Sequence, residues 1–184
     1  MKGNSNEHRT FLAVTVPAEV REELESLQHG LPEVRWTPFE QMHITLKFLG
    51  DVSTQTLETL QQEVMELHIP SFTLRFAGLG TFLPRSAPPV LWAGLESEEA
   101  LQGLFRTIES MAGRLGIPKE KRPFKPHLTL GRLRRRQPER LKGYMELHEH
   151  FYSSAFDCKE VVLFVSRLTP ARAIHEAVAV AELT

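Results

Sequence analysis

A four-residue pattern occurs twice in the chain and limits the folds that it can adopt. Residues 43–46 read HITL and residues 127–130 read HLTL. Side chains alternate between the two faces of a strand, so each copy puts its histidine and threonine on one face and two apolar residues on the other. Both segments are therefore predicted to be strands that bury one face in a core and present imidazole and hydroxyl groups on the opposite face.

The rest of the chain alternates between strand-like and helix-like periodicity. Apolar and β-branched runs predict strands at 10–16, 41–49, 72–79, 90–95, 124–133, 156–166 and 173–183. Apolar residues at helical spacing predict helices that begin after Pro17, Ser53 and Ser97, with both serines as caps, and a short helix near Pro138. A turn is expected at residues 50–51, and Gly116 is expected to end the third helix.

This order of elements predicts the fold class. Helices are mixed with strands, and neighbouring strands with hairpin-like connections occur in both halves of the chain, which favours α+β over a parallel doubly wound sheet. We expect a bilobal fold: two pseudo-symmetric lobes, with largely antiparallel sheets flanked by helices and a cleft between them. The two halves look like a loose internal duplication. Residues 1–9 read as a polar tail and residues 10–184 as one domain.

Composition limits the class and location of the protein. Hydrophobic residues make up 41% and charged residues 24% of the chain, which is typical of a soluble globular domain. There is no apolar run of the ~18 residues needed to cross a membrane. The single cysteine, Cys158, lies in an apolar strand-like run, so we expect a buried inert thiol and no disulfide framework. The expected location is the cytoplasm.

Charge is unevenly distributed although the net charge is only −1. Between Arg114 and Lys142 the sequence has eleven Lys and Arg residues against two acidic residues. Such a region attracts phosphate groups, or it is a solvated basic face; charge alone leaves both interpretations open. The RLRRR run at 132–136 is part of this region, where it steers RNA or maintains solubility.

The two HxT pairs suit one kind of chemistry if their strands are neighbours. One neutral imidazole can accept a proton while a second, charged one donates a proton. Threonine hydroxyls can donate hydrogen bonds to phosphate oxygens. A lone histidine on a strand is usually structural, but two copies followed by basic residues favour a site that cleaves a phosphodiester without a metal. Zinc binding is disfavoured, because neither copy offers a third ligand at short spacing.

Longer stretches around both motifs carry a family resemblance. The sequences FLAVTVPAEV (11–20), MHITLKFLGDV (42–52), GTFLPRSAPPVLWAGL (80–95) and RPFKPHLTLGR (122–132) resemble the 2H phosphoesterases. Within that superfamily they look like the bacterial RNA 2′,3′-cyclic phosphodiesterases, also called 2′-5′ RNA ligases. The RAIHEA segment (172–177) and Pro89 depart from the family pattern.

The resemblance implies a reaction and a set of site residues. It implies hydrolysis of a 2′,3′-cyclic phosphate on RNA to a 2′-phosphomonoester, with His43 as proton donor and His127 as proton acceptor. Thr45 and Thr129 would bind the phosphate oxygens, with Arg132 as a further contact. The family uses no metal or organic cofactor, and no membrane or obligate protein partner is implied. The two histidines could exchange roles, since the reverse reaction, ligation, would swap them.

Several other residues and functions remain open at this stage. Lys47 shares the strand parity of His43, so it either faces the cleft or is a solvated lysine. Phe48, Trp92 and Phe124 either stack on a nucleobase or belong to the core. Surface or structural roles are expected for the remaining histidines: His8, His29, His68, His148, His150 and His175. The alternative functions are a phosphodiesterase for small cyclic nucleotides or ADP-ribose cyclic phosphate, and a nucleotide-binding module without turnover.

Overall fold

The computed structural model describes residues 7–84, 87–134, 138–170 and 172–184. Within these ranges the helices are α1 (Ala18–Glu25), α2 (Thr54–Met65), α3 (Glu99–Arg114) and α4 (Pro138–Leu147), with a 3-10 turn at Phe39–Gln41. The strands are β1 (Glu7–Thr15), β2 (Val34–Trp36), β3 (His43–Ser53), β4 (Phe72–Leu74), β5 (Phe76–Phe82), β6 (Val90–Leu95), β7 (Leu128–Leu133), β8 (Phe156–Cys158), β9 (Glu160–Leu168) and β10 (Ala173–Glu182). In this part of the chain no helix is both long enough and apolar enough to cross a membrane.

One antiparallel sheet organises the molecule. Its strand order is β10-β9-β1-β3-β7-β6-β5. The short strand β2 also pairs with β7, along the edge opposite β6. A separate small sheet contains β4 and β8. The large sheet consists of two four-stranded halves that meet between β3 and β7, where the registered pair is Ile44 and Leu128. The predicted α+β class with antiparallel sheets is confirmed.

The two halves of the sheet are not the two halves of the sequence. The last strands, β9 and β10, lie beside β1, whereas β5 and β6 lie beside β7. A simple duplication would keep each half of the chain in its own lobe, so the expected correspondence between sequence halves and lobes is wrong. These pairings join residues far apart in the chain, and strand periodicity does not report which strands become neighbours.

Several strand boundaries differ from the sequence-based expectations. Strand β1 begins at Glu7, so residues 7–9 belong to the sheet rather than to a tail. Strand β3 continues through the expected turn at 50–51 to Ser53, because Gly50 adopts a φ of 81° at a register shift in the β1–β3 pairing. The short strand β2 was not predicted, because three residues are too few to show a period.

Two predicted strands are each divided between two sheets. The 72–79 segment changes sheet between β4 and β5, and the 156–166 segment does so between β8 and β9. A single basic residue, Arg75 or Lys159, stands at each break, and one charged residue in an otherwise strand-like run does not indicate a change of sheet. The paired strands β4 and β8 therefore leave the large sheet together.

The helix ends follow local capping rules in part. The Ser53 hydroxyl accepts a hydrogen bond from the Thr56 N–H at 3.1 Å, which confirms the predicted cap of α2. Gly116 adopts a φ of 75° after α3 and ends that helix as predicted. The predicted Ser97 cap is wrong, since Glu98 occupies the N-cap position and makes no side-chain capping bond.

Helices α2 and α3 pack against the large sheet, and the single thiol is part of the core. Helix α2 packs against β1, β3, β9 and β10, and α3 packs against β3. Cys158 is 1% exposed, and burial raises the pKa of its thiol to about 12. The thiol is therefore buried and protonated at neutral pH, as expected for an inert cysteine.

Candidate active site

The junction between β3 and β7 brings the two HxT motifs together. The antiparallel pair of Ile44 with Leu128 points into the core, and both side chains are fully buried. The four flanking positions face the other side, and His43, Thr45, His127 and Thr129 all line one cavity of about 430 Å³. The antiparallel register puts His43 next to Thr129 across the junction, and Thr45 next to His127.

A β-bulge interrupts β3 directly after its threonine. Strand β1 pairs Ala13 with Thr45 but Leu12 with Lys47, so Leu46 is an extra residue on β3. An extra residue reverses the alternation of side chains beyond it. From this point onward the parity expected for a regular strand no longer applies.

Strand β7 carries a bulge at the equivalent place. Strand β6 pairs Trp92 with Thr129 but Leu91 with Gly131, which leaves Leu130 as the extra residue. Both strands therefore switch faces one residue after the threonine. The repeated feature is a backbone irregularity as well as a four-residue sequence.

The two bulges decide which later residues reach the cavity. Phe48 and Arg132 stand at the same position relative to the two histidines, and both line the cavity. Phe48 is 67% exposed. The predicted phosphate contact Arg132 is thus beside the four central side chains.

The same bulge turns Lys47 away from the cavity. Lys47 is 4% exposed, forms an ion pair with Glu109 of α3 and donates a hydrogen bond to the Pro118 carbonyl at 2.9 Å. Both interpretations considered for Lys47, in the cleft or solvated, are therefore wrong. Strand parity failed here because Leu46 is an added residue.

Backbone carbonyls orient both imidazoles in the same way. The Nδ1 atom of His127 lies 2.7 Å from the carbonyl oxygen of Lys125, two residues earlier. His43 makes the corresponding hydrogen bond to the backbone of Gln41, also two residues earlier. A carbonyl can only accept, so Nδ1 of His127 carries the proton and its Nε2 atom is free to accept a proton.

Aromatic rings hold His43 on its inner side. Its ring stacks on Phe11 with the centroids 5.1 Å apart, and Phe164 lies 6.1 Å away. The ring of His175 meets it edge-on at 5.8 Å. His175 therefore contacts a predicted catalytic residue and is half-buried, so of the two expected roles, surface or structural, the packing favours the structural one.

A second aromatic group holds His127. Phe82 meets its ring edge-on at 4.9 Å, and Trp92 lies 6.0 Å away. The indole of Trp92 lies over Gly80, where an added Cβ would come within 2.1 Å of the indole ring. The Nζ atom of Lys125 is 4.6 Å from the Trp92 ring centre, within cation–π range.

Both histidines favour the neutral form in the empty cleft. Burial, with a smaller effect from the neighbouring His175, lowers the pKa of His43 to about 4, although the Gln41 bond acts in the opposite direction. Burial is also the main cause that lowers the pKa of His127, with smaller effects from Lys125 and Arg132. A phosphate anion in the cleft would raise both pKa values, because a nearby negative charge favours imidazolium.

Sequence reasoning missed three arginines that line the cavity: Arg9, Arg35 and Arg172. Arg35 is directly opposite Arg132 in the β2–β7 pairing. An anion bound beside both guanidinium groups would be attracted by each of them. Arg35 was missed because its strand was not predicted.

The other candidates for base stacking belong to the interior. Trp92 is buried behind His127, and Phe124 stacks on Phe105 with the centroids 4.3 Å apart. Of the basic run at 132–136, residues 135 and 136 lie outside the described part of the chain. Among the described residues, no group of three or more His, Cys, Asp and Glu side chains is placed to hold a metal ion.

Two histidine–threonine pairs on adjoining strands, all on one face, define the class of the 2H phosphoesterases. The sequence profile of the 2′-5′ RNA ligase superfamily matches residues 16–169. The chain therefore belongs to the 2′-5′ RNA ligase superfamily, and the predicted family is confirmed.

Curated relatives and solved structures agree with this assignment. The chain is 30% identical to the RNA 2′,3′-cyclic phosphodiesterase of Methanocaldococcus jannaschii, over 92% of this chain and 98% of that protein. It is 36% identical to the protein of the same name from Escherichia coli, over 68% of this chain and 72% of that protein. The crystal structure of Escherichia coli LigT complexed with 3′-AMP matches with a TM-score of 0.78 and 28% identity, covering 97% of this chain and 99% of that one.

Proposed function

We propose that the protein hydrolyses RNA 2′,3′-cyclic phosphodiester ends to 2′-phosphomonoesters, by metal-independent acid–base catalysis from His43 and His127. The observation that carries the proposal is the junction at Ile44 and Leu128, which puts two imidazoles and two hydroxyls on one face. The relatives named RNA 2′,3′-cyclic phosphodiesterase support the substrate class. A substrate of this kind and a buried thiol fit a cytoplasmic location.

The reaction assigns each imidazole one proton transfer. Neutral His127 takes a proton from water through Nε2 as the water oxygen attacks phosphorus. Protonated His43 gives its proton to the 3′ oxygen as the bond between phosphorus and that oxygen breaks, which leaves the phosphate on the 2′ oxygen. Thr45 and Thr129 donate hydrogen bonds to the non-bridging oxygens, whose negative charge increases in the transition state.

The electrostatics of the free cleft add a condition to this mechanism. A pKa of about 4 leaves His43 unprotonated at neutral pH, yet the acid must start with a proton. The phosphate of the substrate supplies the missing negative charge, so substrate binding is accompanied by proton uptake at His43. Ligation would run the same steps in reverse, with the two imidazoles in exchanged roles.

The rim of the cleft fits an RNA end. Arg9, Arg35, Arg132 and Arg172 line it and can contact phosphates on either side of the reacting one. Phe48 is exposed beside them and can stack on a nucleobase without sequence preference. Both features favour an oligonucleotide over a cyclic mononucleotide, which uses fewer of these contacts.

The test is product analysis on an oligonucleotide with a 2′,3′-cyclic end, in the presence of EDTA. We expect a 2′-phosphomonoester, and a loss of about 10²–10⁴-fold in kcat for His43→Ala and for His127→Ala. His8→Ala is the matched control, because His8 bonds to Thr54 on the exposed surface and should retain full activity. Wild-type turnover in either cleft variant would contradict the two-histidine mechanism, and a strict metal requirement would contradict the metal-independent step.

A cyclic mononucleotide is the comparison substrate. Faster turnover of the oligonucleotide is expected from the contacts at the rim. Equal or faster turnover of the mononucleotide would favour the small-nucleotide phosphodiesterase, and nucleotide binding without any product would favour a binding module.

A further inference from the structure

His175 lies in the wall between two cavities. One is the cleft that contains both HxT motifs, and the other is a cavity of about 510 Å³ that is also lined by His43. The His175 ring meets His43 edge-on at 5.8 Å and meets Phe11 edge-on at 4.9 Å. It is therefore part of the ring cluster that holds His43.

His175 takes the same position beside His43 that Phe82 takes beside His127. The edge-on neighbour of His127 is Phe82, at an interplanar angle of 83°, and the edge-on neighbour of His43 is His175, at 87°. The geometry is the same, but one ring can be charged and the other cannot. The Nδ1 atom of His175 is buried and has no hydrogen-bond partner among the described residues, so nothing described at that atom stabilises a charged ring.

We propose that His175 is a positioning residue that forms a coupled pair with His43, such that the two rings hold one proton at most until an anion occupies the cleft. The functional part of this inference depends on the proposed role of His43 as proton donor. Two imidazolium charges at this separation oppose each other, and in a partly buried site that opposition separates their titrations by about one pH unit or more. Burial lowers the pKa of His175 as well, so neither ring is charged readily.

Other charged groups around the pair act in both directions. On the side of the main cleft, Arg9 and Arg172 line the same cavity as the two rings, and Arg172 forms an ion pair with Glu40. The second cavity is lined by both signs of charge: Arg21, Glu40, Asp157, Lys159 and Glu160. A phosphate in the cleft adds a negative charge near His43 that favours its imidazolium form, so anion binding and proton uptake by the pair are coupled.

The pair gives the proposed reaction a form of control. Burial is the main reason that His43 stays neutral, and His175 adds to the cost of charging it. When a phosphate arrives, one proton enters the pair and is available to the leaving oxygen. Replacement of His175 is thus expected to change the pH dependence of both kcat and KM, since proton uptake by the pair is linked to substrate binding.

The direct test is titration of the histidine rings by NMR in wild type, His175→Phe and His148→Phe, with and without inorganic phosphate. Phenylalanine keeps the ring volume, so in His175→Phe the apparent pKa of His43 should rise by about one unit. His148→Phe is the matched control, because His148 meets His29 edge-on at 5.9 Å away from the cleft and should leave the His43 titration unchanged. An unchanged pKa of His43 in His175→Phe would overturn the proposal.

A second variant and a second measurement keep the proposal testable if His175→Phe does not fold. His175→Gln removes the charge without the ring, and it should raise the pKa of His43 in the same direction if His175→Phe does not fold. The basic limb of the kcat profile should shift with the measured pKa, because His43 must be protonated to act as the acid, and a loss of kcat with no shift would indicate a merely structural role. The NMR titration needs no turnover, so it tests the pair even if the protein cleaves no cyclic phosphate.

Discussion

The two sides of the cleft share their backbone and differ in their side chains. Each side has a histidine bonded to the carbonyl of residue i−2, a threonine, and a bulge at the following leucine. Beyond the bulge, Phe48 reaches the cavity on one side and Arg132 on the other. The common geometry puts equivalent groups around a phosphate, and the differing residues give the two sides unequal tasks: an aromatic surface on one and a positive charge on the other.

The positions just before these two residues differ even more. Lys47 points away from the cleft and pairs with Glu109, whereas Gly131 leaves no room for a side chain, because an added Cβ would come within 2.4 Å of Val34. One side is fixed to a helix through an ion pair, and the other is covered closely by β2. Substitutions on the two sides should therefore have different effects.

Removing the buried ion pair should destabilise the His43 side. In Lys47→Ala, Glu109 keeps its charge but loses its partner in a site where its side chain is 13% exposed, and the free energy of unfolding should fall by about 3–5 kcal/mol. Urea unfolding measures the change. Lys142→Ala is the control, since Lys142 forms an exposed pair with Glu146 worth little. A stability close to wild type for Lys47→Ala would show that the ion pair does not fix β3 to α3.

The depressed pKa of His43 should make stability depend on pH. Its folded-state pKa is about 4 against 6.5 for a free histidine, so between these values the unfolded chain binds a proton that the native site excludes. The contribution of neutral His43 is complete above pH 6.5 and is lost as the pH falls towards 4, by about 3 kcal/mol in total. Unfolding measured across this range should therefore be less pH-dependent in His43→Gln than in wild type. Parallel curves would refute the assignment of the shift to His43.

Crowding Trp92 should disturb the His127 side alone. In Gly80→Ala the new Cβ overlaps the indole, so Trp92 must move and the wall behind His127 moves with it. We expect a destabilisation of about 1–3 kcal/mol, together with a lower kcat. Ring NMR signals of His127 should shift while those of His43 stay in place. Gly103→Ala in α3 is the control, because its Cβ meets only the end of Arg106 at 3.9 Å; equal shifts of both histidines would refute a side-specific effect.

The sequence predicted some of the side chains that line the cleft and missed others. Strand alternation correctly put both histidines and threonines on one face, because the alternation is intact up to Thr45 and Thr129. It failed at Lys47, because a bulge is set by how two strands pair and not by the letters of one strand. It also missed Arg35 and His175, whose places depend on long-range strand pairings: β2 with β7, and β1 with β9, the strand that pairs with β10. Local chemistry identified the motif, and the topology that completes the site required the structure.

The smallest expected effects compare the two residues that follow the bulges. Arg132→Gln and Phe48→Leu should each weaken kcat/KM for a cyclic-ended oligonucleotide about tenfold, which corresponds to about 1.4 kcal/mol. The two losses should respond differently to salt. Arg132 contributes a charge, so its removal should lower the salt dependence of KM, whereas Phe48 contributes an uncharged ring and its removal should leave that dependence unchanged. Measurement of KM from 50 to 200 mM salt (about a fourfold range) tests this difference. If both variants keep the same salt dependence as wild type, Arg132 does not contact a phosphate, and the distinction between an aromatic and a cationic side of the cleft is lost.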